Sequence, residues 1–251
     1  MINKKEILSS IFFPRKSFLG EGSLDHLVSV DSNTKVGVRF YLKDETFDNI
    51  IFFHGNAELA EEYADIAHMY HSQSINLIVA DYRGYGISNG VPDRDNLLSD
   101  APIIFDYIFK DLSDKGFNGK KVIMGRSLGS ASAWQIASSC APYIDACIIE
   151  SGFSTEIPLF DLWRIDPDSI GFELSDGFDN LSKIKKYKKP LFVIHAEKDH
   201  IIPISEGHLT YDSALSKNKK ILVVESANHN NIIHCIGVKY FEDIKRFIDS
   251  L

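Results

Sequence analysis

The order of apolar residues along the chain constrains its fold more than any other feature. From residue 49 onward, short continuous apolar runs alternate with segments in which apolar residues recur at helical spacing. Short runs rich in Ile, Val and Phe are typical of parallel strands that are covered on both faces. The runs occupy residues 50–53, 77–80, 122–124, 146–149, 191–194 and 221–224. Their alternation with helices predicts βαβ units with right-handed crossovers.

The residues before this region follow a different pattern. Val36, Val38, Phe40 and Leu42 alternate with other residues, as in a half-buried antiparallel strand near the start of the chain. The sequence therefore predicts an α/β fold with a mostly parallel central sheet, helices on both faces and antiparallel N-terminal strands. We expect residues 1–251 to form one domain, a common size for this class.

One segment, residues 155–180, breaks the alternation, because it mixes aromatic residues with Asp, Pro and Gly. It follows a strand, and in an open α/β sheet ligands bind outside the carboxyl ends of the strands. We therefore expect a small cap beside a substrate pocket. Its large apolar residues either line that pocket or pack the cap. The candidate pocket residues are Phe153, Leu159, Phe160 and Trp163, with Leu162 between them.

Net charge and cysteine content exclude several classes of protein. The chain has 27 basic and 35 acidic residues and a net charge of −8, whereas sequence-independent binding of nucleic acid requires a basic face. The three cysteines, in apolar stretches, indicate reduced core residues rather than disulfides or a metal site. No apolar stretch reaches the ~18–20 residues of a membrane span, and no signal-peptide pattern opens the chain. We expect a cytoplasmic protein without an integral membrane segment, metal or cofactor.

The strongest local motif is VIMGRSLGS, in which Gly125, Ser127 and Gly129 form G-x-S-x-G between an apolar strand and a helix rich in small residues. A nucleophilic serine requires a turn so tight that larger flanking side chains would collide. Such a turn presents the hydroxyl at the end of the sheet, and the following amides face developing negative charge. The context of the motif therefore predicts that Ser127 is a catalytic nucleophile.

Serine needs a base that is oriented by an acid, and in this type of fold the two follow in the order Asp or Glu, then His. Asp199 follows the strand PLFVIHA, and His229 follows the strand KILVV, so both have the expected order and context. Glu150, at the end of a neighbouring strand, is an alternative acid. We favour Asp199 because its loop continues into HIIP, which turns the chain back toward the site.

An oxyanion hole requires two backbone amides, one after the nucleophile and one from the loop after an early strand. Leu128 supplies the first, and the loop HGN after residues 50–53 supplies the second. Gly55 allows this loop to turn so that the amide of Asn56 points at the site. His54 is expected to hold the loop through hydrogen bonds rather than to take part in the chemistry.

Several motifs together resemble one subgroup of the serine α/β-hydrolases, which includes acyl-protein thioesterases and relatives of the prolyl-oligopeptidase catalytic domain. The motifs are HGNAE, DYRGYGIS, GRSLGS, ESGFS, the Asp199 loop and NHNN, and the resemblance covers roughly residues 25–250. It implies the same nucleophile, acid and base, and a structural role for Asp81, Arg83 and Gly84. Ala196 and Ser130 stand where glycines are common in this subgroup, but both residues are small.

These observations favour an enzyme that cleaves a carboxylic ester or thioester of a small-molecule or acylated substrate through an acyl-enzyme on Ser127. A peptidase or amidase is an alternative, because the same residues cleave amides. A catalytically silent binding protein of the same fold is a further alternative. An aspartate-dependent dehalogenase or epoxide hydrolase is disfavoured, because position 127 is serine. Nothing in the sequence sets the oligomeric state.

Overall fold

The computed structural model describes residues 11–162 and 164–251. Within these residues, eight strands form one sheet in the order β1-β2-β4-β3-β5-β6-β7-β8. The strands are β1 (Asp25–Ser29), β2 (Lys35–Tyr41), β3 (Asp48–Phe53), β4 (Ile75–Ala80), β5 (Lys121–Arg126), β6 (Ala146–Glu150), β7 (Leu191–Ala196) and β8 (Lys219–Val224). Strand β2 pairs antiparallel with β1 and β4, and β3 to β8 run parallel. The predicted α/β fold is thus confirmed.

Helices cover both faces of the sheet, which explains the continuous apolar runs. They are α1 (Ala64–Ser72), α2 (Arg94–Asp114), α3 (Gly129–Ser139), α4 (Ile157–Leu162), α5 (Asn180–Ile184), α6 (Ile204–Ser213), α7 (Ile232–Ile236) and α8 (Val238–Asp249). Neighbouring strand residues point to opposite faces. Ile51 accordingly joins a core with Trp134 of α3, whereas Ile50 joins a second core with Phe241 of α8. Each central strand is therefore buried on both sides.

Helix α2 begins at Arg94, where the Asp93 carboxylate accepts a hydrogen bond from the Asn96 amide at 2.7 Å, and Pro102 lies inside this helix. One local expectation differs from the structure. Cys140 and Cys147 are buried as expected, but Cys235 is exposed. It lies on the five-residue helix α7, in which Ile232 is the buried residue.

The predicted cap region contains helix α4, a short 3₁₀ turn at Asp168–Ile170, another at Leu174–Asp176 and helix α5. It follows the carboxyl end of β6, as the sequence indicates. Among the described residues, none of the helices combines the length and apolar character that a bilayer crossing requires.

Candidate active site

Ser127 lies on a strained turn between β5 and α3. Its φ is +50°, a left-handed conformation that a residue other than glycine adopts at a cost. The flanking glycines are necessary because of close backbone approach. A Cβ on Gly129 would lie 2.0 Å from the Phe53 carbonyl oxygen, and one on Gly125 would lie 2.4 Å from the Gly129 carbonyl oxygen. The turn thus brings the Ser127 side chain to the carboxyl edge of the sheet.

The structure brings the three candidate catalytic residues into one chain of hydrogen bonds. His229 Nε2 lies 3.0 Å from Ser127 Oγ, and His229 Nδ1 lies 2.7 Å from Asp199 Oδ2. Both distances are within hydrogen-bonding range. His229 and Asp199 are buried, and their loops follow β8 and β7. This arrangement allows the imidazole to accept a proton from the serine while the carboxylate fixes its tautomer.

Asp199 is held in its ionised form. Burial alone would raise the pKa of this carboxyl, but the hydrogen bond and charge of His229 outweigh it. The amides of Ile202 and Ile201 also donate to Asp199 Oδ1, at 2.8 and 3.0 Å. The net result is a pKa below the ordinary value. The carboxylate can therefore stabilise an imidazolium that forms on His229.

The residues that carry the two expected oxyanion amides, Asn56 and Leu128, both line the cavity in front of Ser127. Leu128 is the residue that precedes α3, so its N–H belongs to the electropositive end of that helix. Asn56 lies in the loop after β3. Within residues 11–162 and 164–251, neither N–H donates to a protein acceptor. Both amides are therefore available to a developing negative charge.

The alternative acid and the loop histidine have other partners. The Glu150 carboxylate contacts Arg126 Nε at 3.2 Å and accepts a hydrogen bond from the Tyr240 hydroxyl. His54 is fully buried, with Nε2 3.0 Å from Asp81 Oδ1 and Nδ1 2.7 Å from the Gly55 carbonyl. Burial would lower the pKa of His54, but Asp81 raises it overall. His54 thus holds the loop, in agreement with the sequence-based expectation.

A cavity of about 520 Å³ opens in front of Ser127. Eight of its lining residues are apolar: Ile11, Phe13, Ala57, Leu128, Phe153, Leu159, Leu162 and Ile201. Asn56 and His229 also line it. A cavity of this size and composition suits an apolar ligand with a small polar group.

The four candidate pocket residues have different positions in the structure. Phe153 and Leu159 line the cavity. Phe160 does not, because its side chain is buried within the cap, where its ring packs on that of Phe172 with centroids 4.6 Å apart. Trp163 lies outside the described residues. The cap segment therefore supplies one wall of the cavity and also contributes to the core.

Sequence analysis missed a second wall, which is formed by the N-terminal strap, residues 11–17. The Phe13 amide donates to Asn56 Oδ1 at 2.9 Å, and Asn56 Nδ2 donates to the Ile11 carbonyl. The Tyr85 hydroxyl also donates to Asn56 Oδ1, at 2.6 Å. The strap thus fixes Asn56, which carries one of the two expected oxyanion amides. These contacts join distant parts of the chain, so no local pattern signals them.

Among the described residues, no group of three His, Cys, Asp or Glu side chains converges closely enough to hold a metal ion.

Comparison with known proteins finds sequence relatives of this chain. Residues 44–160 match a family model described as serine aminopeptidase, S33. The chain is 29% identical to protein Bem46 of Schizosaccharomyces pombe over 210 residues, 81% of this chain and 68% of that protein. It is 31% identical to α/β hydrolase domain-containing protein 17C of Mus musculus over 205 residues, 79% of this chain and 59% of that protein. The chain thus spans about three fifths of the mouse relative.

A solved structure shows the same fold at low sequence identity. An esterase of Pyrococcus furiosus superposes with a TM-score of 0.72 at 17% identity, covering 95% of this chain and 97% of the esterase. The similarity between the two structures supports the α/β architecture described above for this chain. It gives no information on substrate.

Proposed function

Because the chain belongs to the serine α/β-hydrolase superfamily, we propose that it hydrolyses a carboxylic ester or thioester through an acyl-enzyme on Ser127. The observation that supports this proposal is the continuous hydrogen-bonded chain from Ser127 through His229 to Asp199. It faces a largely apolar cavity that is lined by Asn56 and Leu128, the residues that carry the two available amides. Acyl transfer to serine requires an activated serine, a cavity for the acyl group and donors to the oxyanion. The hydrogen-bonded side chains, the cavity and the two amides provide these three parts.

In the proposed reaction, His229 Nε2 takes the proton of Ser127 as the serine oxygen bonds to the acyl carbon. The carbonyl electrons move to oxygen, and the amides of Asn56 and Leu128 stabilise the resulting charge. The imidazolium then gives its proton to the leaving alcohol or thiol as the bond to the acyl carbon breaks. Water, activated by the same imidazole, hydrolyses the acyl-enzyme and returns the serine.

An aminopeptidase is a second candidate, because the matching family model carries that description. Such an enzyme must bind the free ammonium group at the N-terminus of its substrate. This requires a negatively charged hydrogen-bond acceptor, such as an unpaired carboxylate. Among the described residues that line the cavity, Glu58 is the acidic one, and its carboxylate is paired with the guanidinium of Arg126. This pairing and the apolar lining favour an acyl ester or thioester over a peptide N-terminus.

The proposal is tested with p-nitrophenyl esters, acyl thioesters and aminoacyl amides, together with a fluorophosphonate probe. We expect ester or thioester hydrolysis and a covalent adduct on Ser127. The Ser127→Ala variant should lower kcat by about 10⁶-fold, because the three catalytic side chains act as a unit. Faster cleavage of aminoacyl amides would favour the aminopeptidase. A folded protein that forms no adduct and cleaves no substrate would indicate a silent binding protein.

A further inference from the structure

Arg126, immediately before the nucleophile, contacts the loops on both sides of the site. Its side chain is 14% exposed, so most of the guanidinium is shielded from water. Nη2 donates to the His229 carbonyl oxygen at 2.7 Å and to Asn230 Oδ1 at 3.2 Å. Nη1 and Nε donate to the carboxylates of Glu58 and Glu150. One side chain thus joins strand β6 with the loop of the candidate base and the loop after β3.

The Glu58 carboxylate extends this connection to the oxyanion loop. It accepts a hydrogen bond from the Gly55 amide at 2.9 Å and another from the Tyr63 hydroxyl at 2.5 Å. Gly55 directly precedes Asn56, which lines the cavity in front of Ser127. A displacement of Glu58 would therefore move the oxyanion loop.

The charge balance of this cluster depends on the arginine. Burial would raise the pKa of Glu58, but the guanidinium and His54 lower it overall, so the carboxylate stays ionised. Burial raises the pKa of Glu150 despite the same guanidinium. The side chains of Arg126 and Glu58 are only 14% and 25% exposed, and Glu150 is buried. Ion pairs with so little exposure are a costly way to stabilise a fold, since apolar residues of similar volume often do as well or better. Their contacts with two catalytic loops offer another reason for their presence.

We propose that Arg126 is a positioning residue, which sets the distance between the base His229 and the oxyanion amide of Asn56. This inference rests on the proposed function, because both groups are assigned there. The planar fork of arginine donates to two carboxylates and a carbonyl at fixed angles. Lysine provides the charge but lacks that geometry.

The decisive variant is Arg126→Lys, compared with Arg39→Lys. Arg39 makes a similar partly buried fork to Asp25, at 2.6 and 2.5 Å, between the antiparallel strands β1 and β2. For Arg126→Lys we expect kcat to fall about 10- to 100-fold, because small displacements of catalytic groups have effects of this size. KM should change less than about twofold, since substrate contacts remain. Arg39→Lys should keep kcat, whatever thermal stability it loses.

A chemical rescue separates positioning from charge. The truncated variant Arg126→Ala leaves space next to a cavity of about 240 Å³ that Glu58, Glu150 and His229 also line. Ethylguanidinium should restore part of kcat, whereas ethylammonium, which has the charge without the fork, should restore less.

If Arg126→Ala does not fold, Glu58→Gln serves instead. It keeps an acceptor for the Gly55 amide but weakens the arginine contact, and we again expect a fall in kcat without a change in KM.

The possible results are distinct. A folded Arg126→Lys enzyme with the kcat and fluorophosphonate labelling rate of the parent would overturn the positioning role and leave the proposed function intact. Equal rescue by both cations would also overturn it, because charge alone would then suffice. A parent protein that forms no adduct on Ser127 would overturn both proposals together.

Discussion

Asp199 accepts three hydrogen bonds, from the imidazole of His229 and the amides of Ile201 and Ile202. The two amides orient one carboxylate oxygen, so that the other oxygen faces Nδ1 of the imidazole. The position of a single side chain therefore decides which nitrogen of His229 carries the proton. An amide at this position has the same shape but donates where the carboxylate accepts.

The variant Asp199→Asn should thus retain the fold and lose most of the activity. We expect kcat to fall by about 10⁴-fold, because the imidazole is then held in the tautomer that cannot accept the serine proton. Hydrolysis of a p-nitrophenyl ester under saturating conditions measures the change. Glu197→Gln is the matched control, since Glu197 is an exposed acid on the same loop. A similar loss in both variants would contradict the assignment of Asp199.

The residues that could be predicted from the sequence are those whose role follows from chain order. Ser127, Asp199 and His229 each follow a strand, and parallel strands end at one edge of the sheet, so their convergence was predictable. The partners of Arg126 were not, because its contact with the His229 carbonyl joins residues 103 positions apart. Hydrogen bonds of this kind depend on side-chain directions that apolar patterns do not contain.

At the scale of elements, the cap depends on a buried carboxylate at its base. Glu156 directly precedes α4, is 1% exposed and accepts a hydrogen bond from the Phe178 amide at 2.5 Å. Burial raises its pKa to about 7, and the bond from Phe178 only partly offsets this effect. The first and last parts of the cap segment thus meet at a group that titrates near neutral pH.

This raised pKa predicts how stability depends on pH. The folded state holds the Glu156 proton more tightly than the unfolded state, so this group lowers the free energy of unfolding as pH rises from about 4.5 to about 7. Glu156→Gln keeps the acceptor for Phe178 without the charge. We expect it to stabilise the protein at pH 8 by about 1–3 kcal/mol and to have little effect near pH 5.

Denaturant unfolding at both pH values, followed by circular dichroism, measures this difference. Asp161→Asn is a control, because Asp161 is an exposed acid of the same cap. It should change stability little at either pH. A gain for Glu156→Gln that is equal at pH 5 and pH 8 would show that titration of this carboxylate is not its cause.

At the scale of the whole molecule, the first described residues of the chain contribute both to the sheet and to the candidate site. The antiparallel strands β1 and β2 extend the sheet away from the site. The preceding strap returns to the site: the Gly86 amide donates to the Arg15 carbonyl at 2.8 Å, and Arg15 Nη1 donates to the Ala57 carbonyl at 2.7 Å. The apolar patterns used for prediction begin at Val36. They therefore could not predict that Phe13 lines the cavity in front of Ser127.

The strap should influence which acyl chains are accepted. Phe13 lines the cavity but is 55% exposed, so Phe13→Ala removes apolar contact with a substrate and sacrifices little of the core. Its backbone amide, which holds Asn56, is retained. Partial burial of such a side chain contributes about 1 kcal/mol, so kcat/KM for a long acyl ester should fall roughly 3- to 10-fold relative to a butyrate ester.

Phe18→Ala is the matched control, because Phe18 is 92% exposed and is not among the residues that line the cavity. It should leave the ratio of long-chain to short-chain kcat/KM unchanged. A ratio that falls equally in both variants would point to a general effect of surface apolar residues. An unchanged ratio in Phe13→Ala would mean that the acyl chain lies along the cap wall, against Leu159 and Leu162, rather than against the strap.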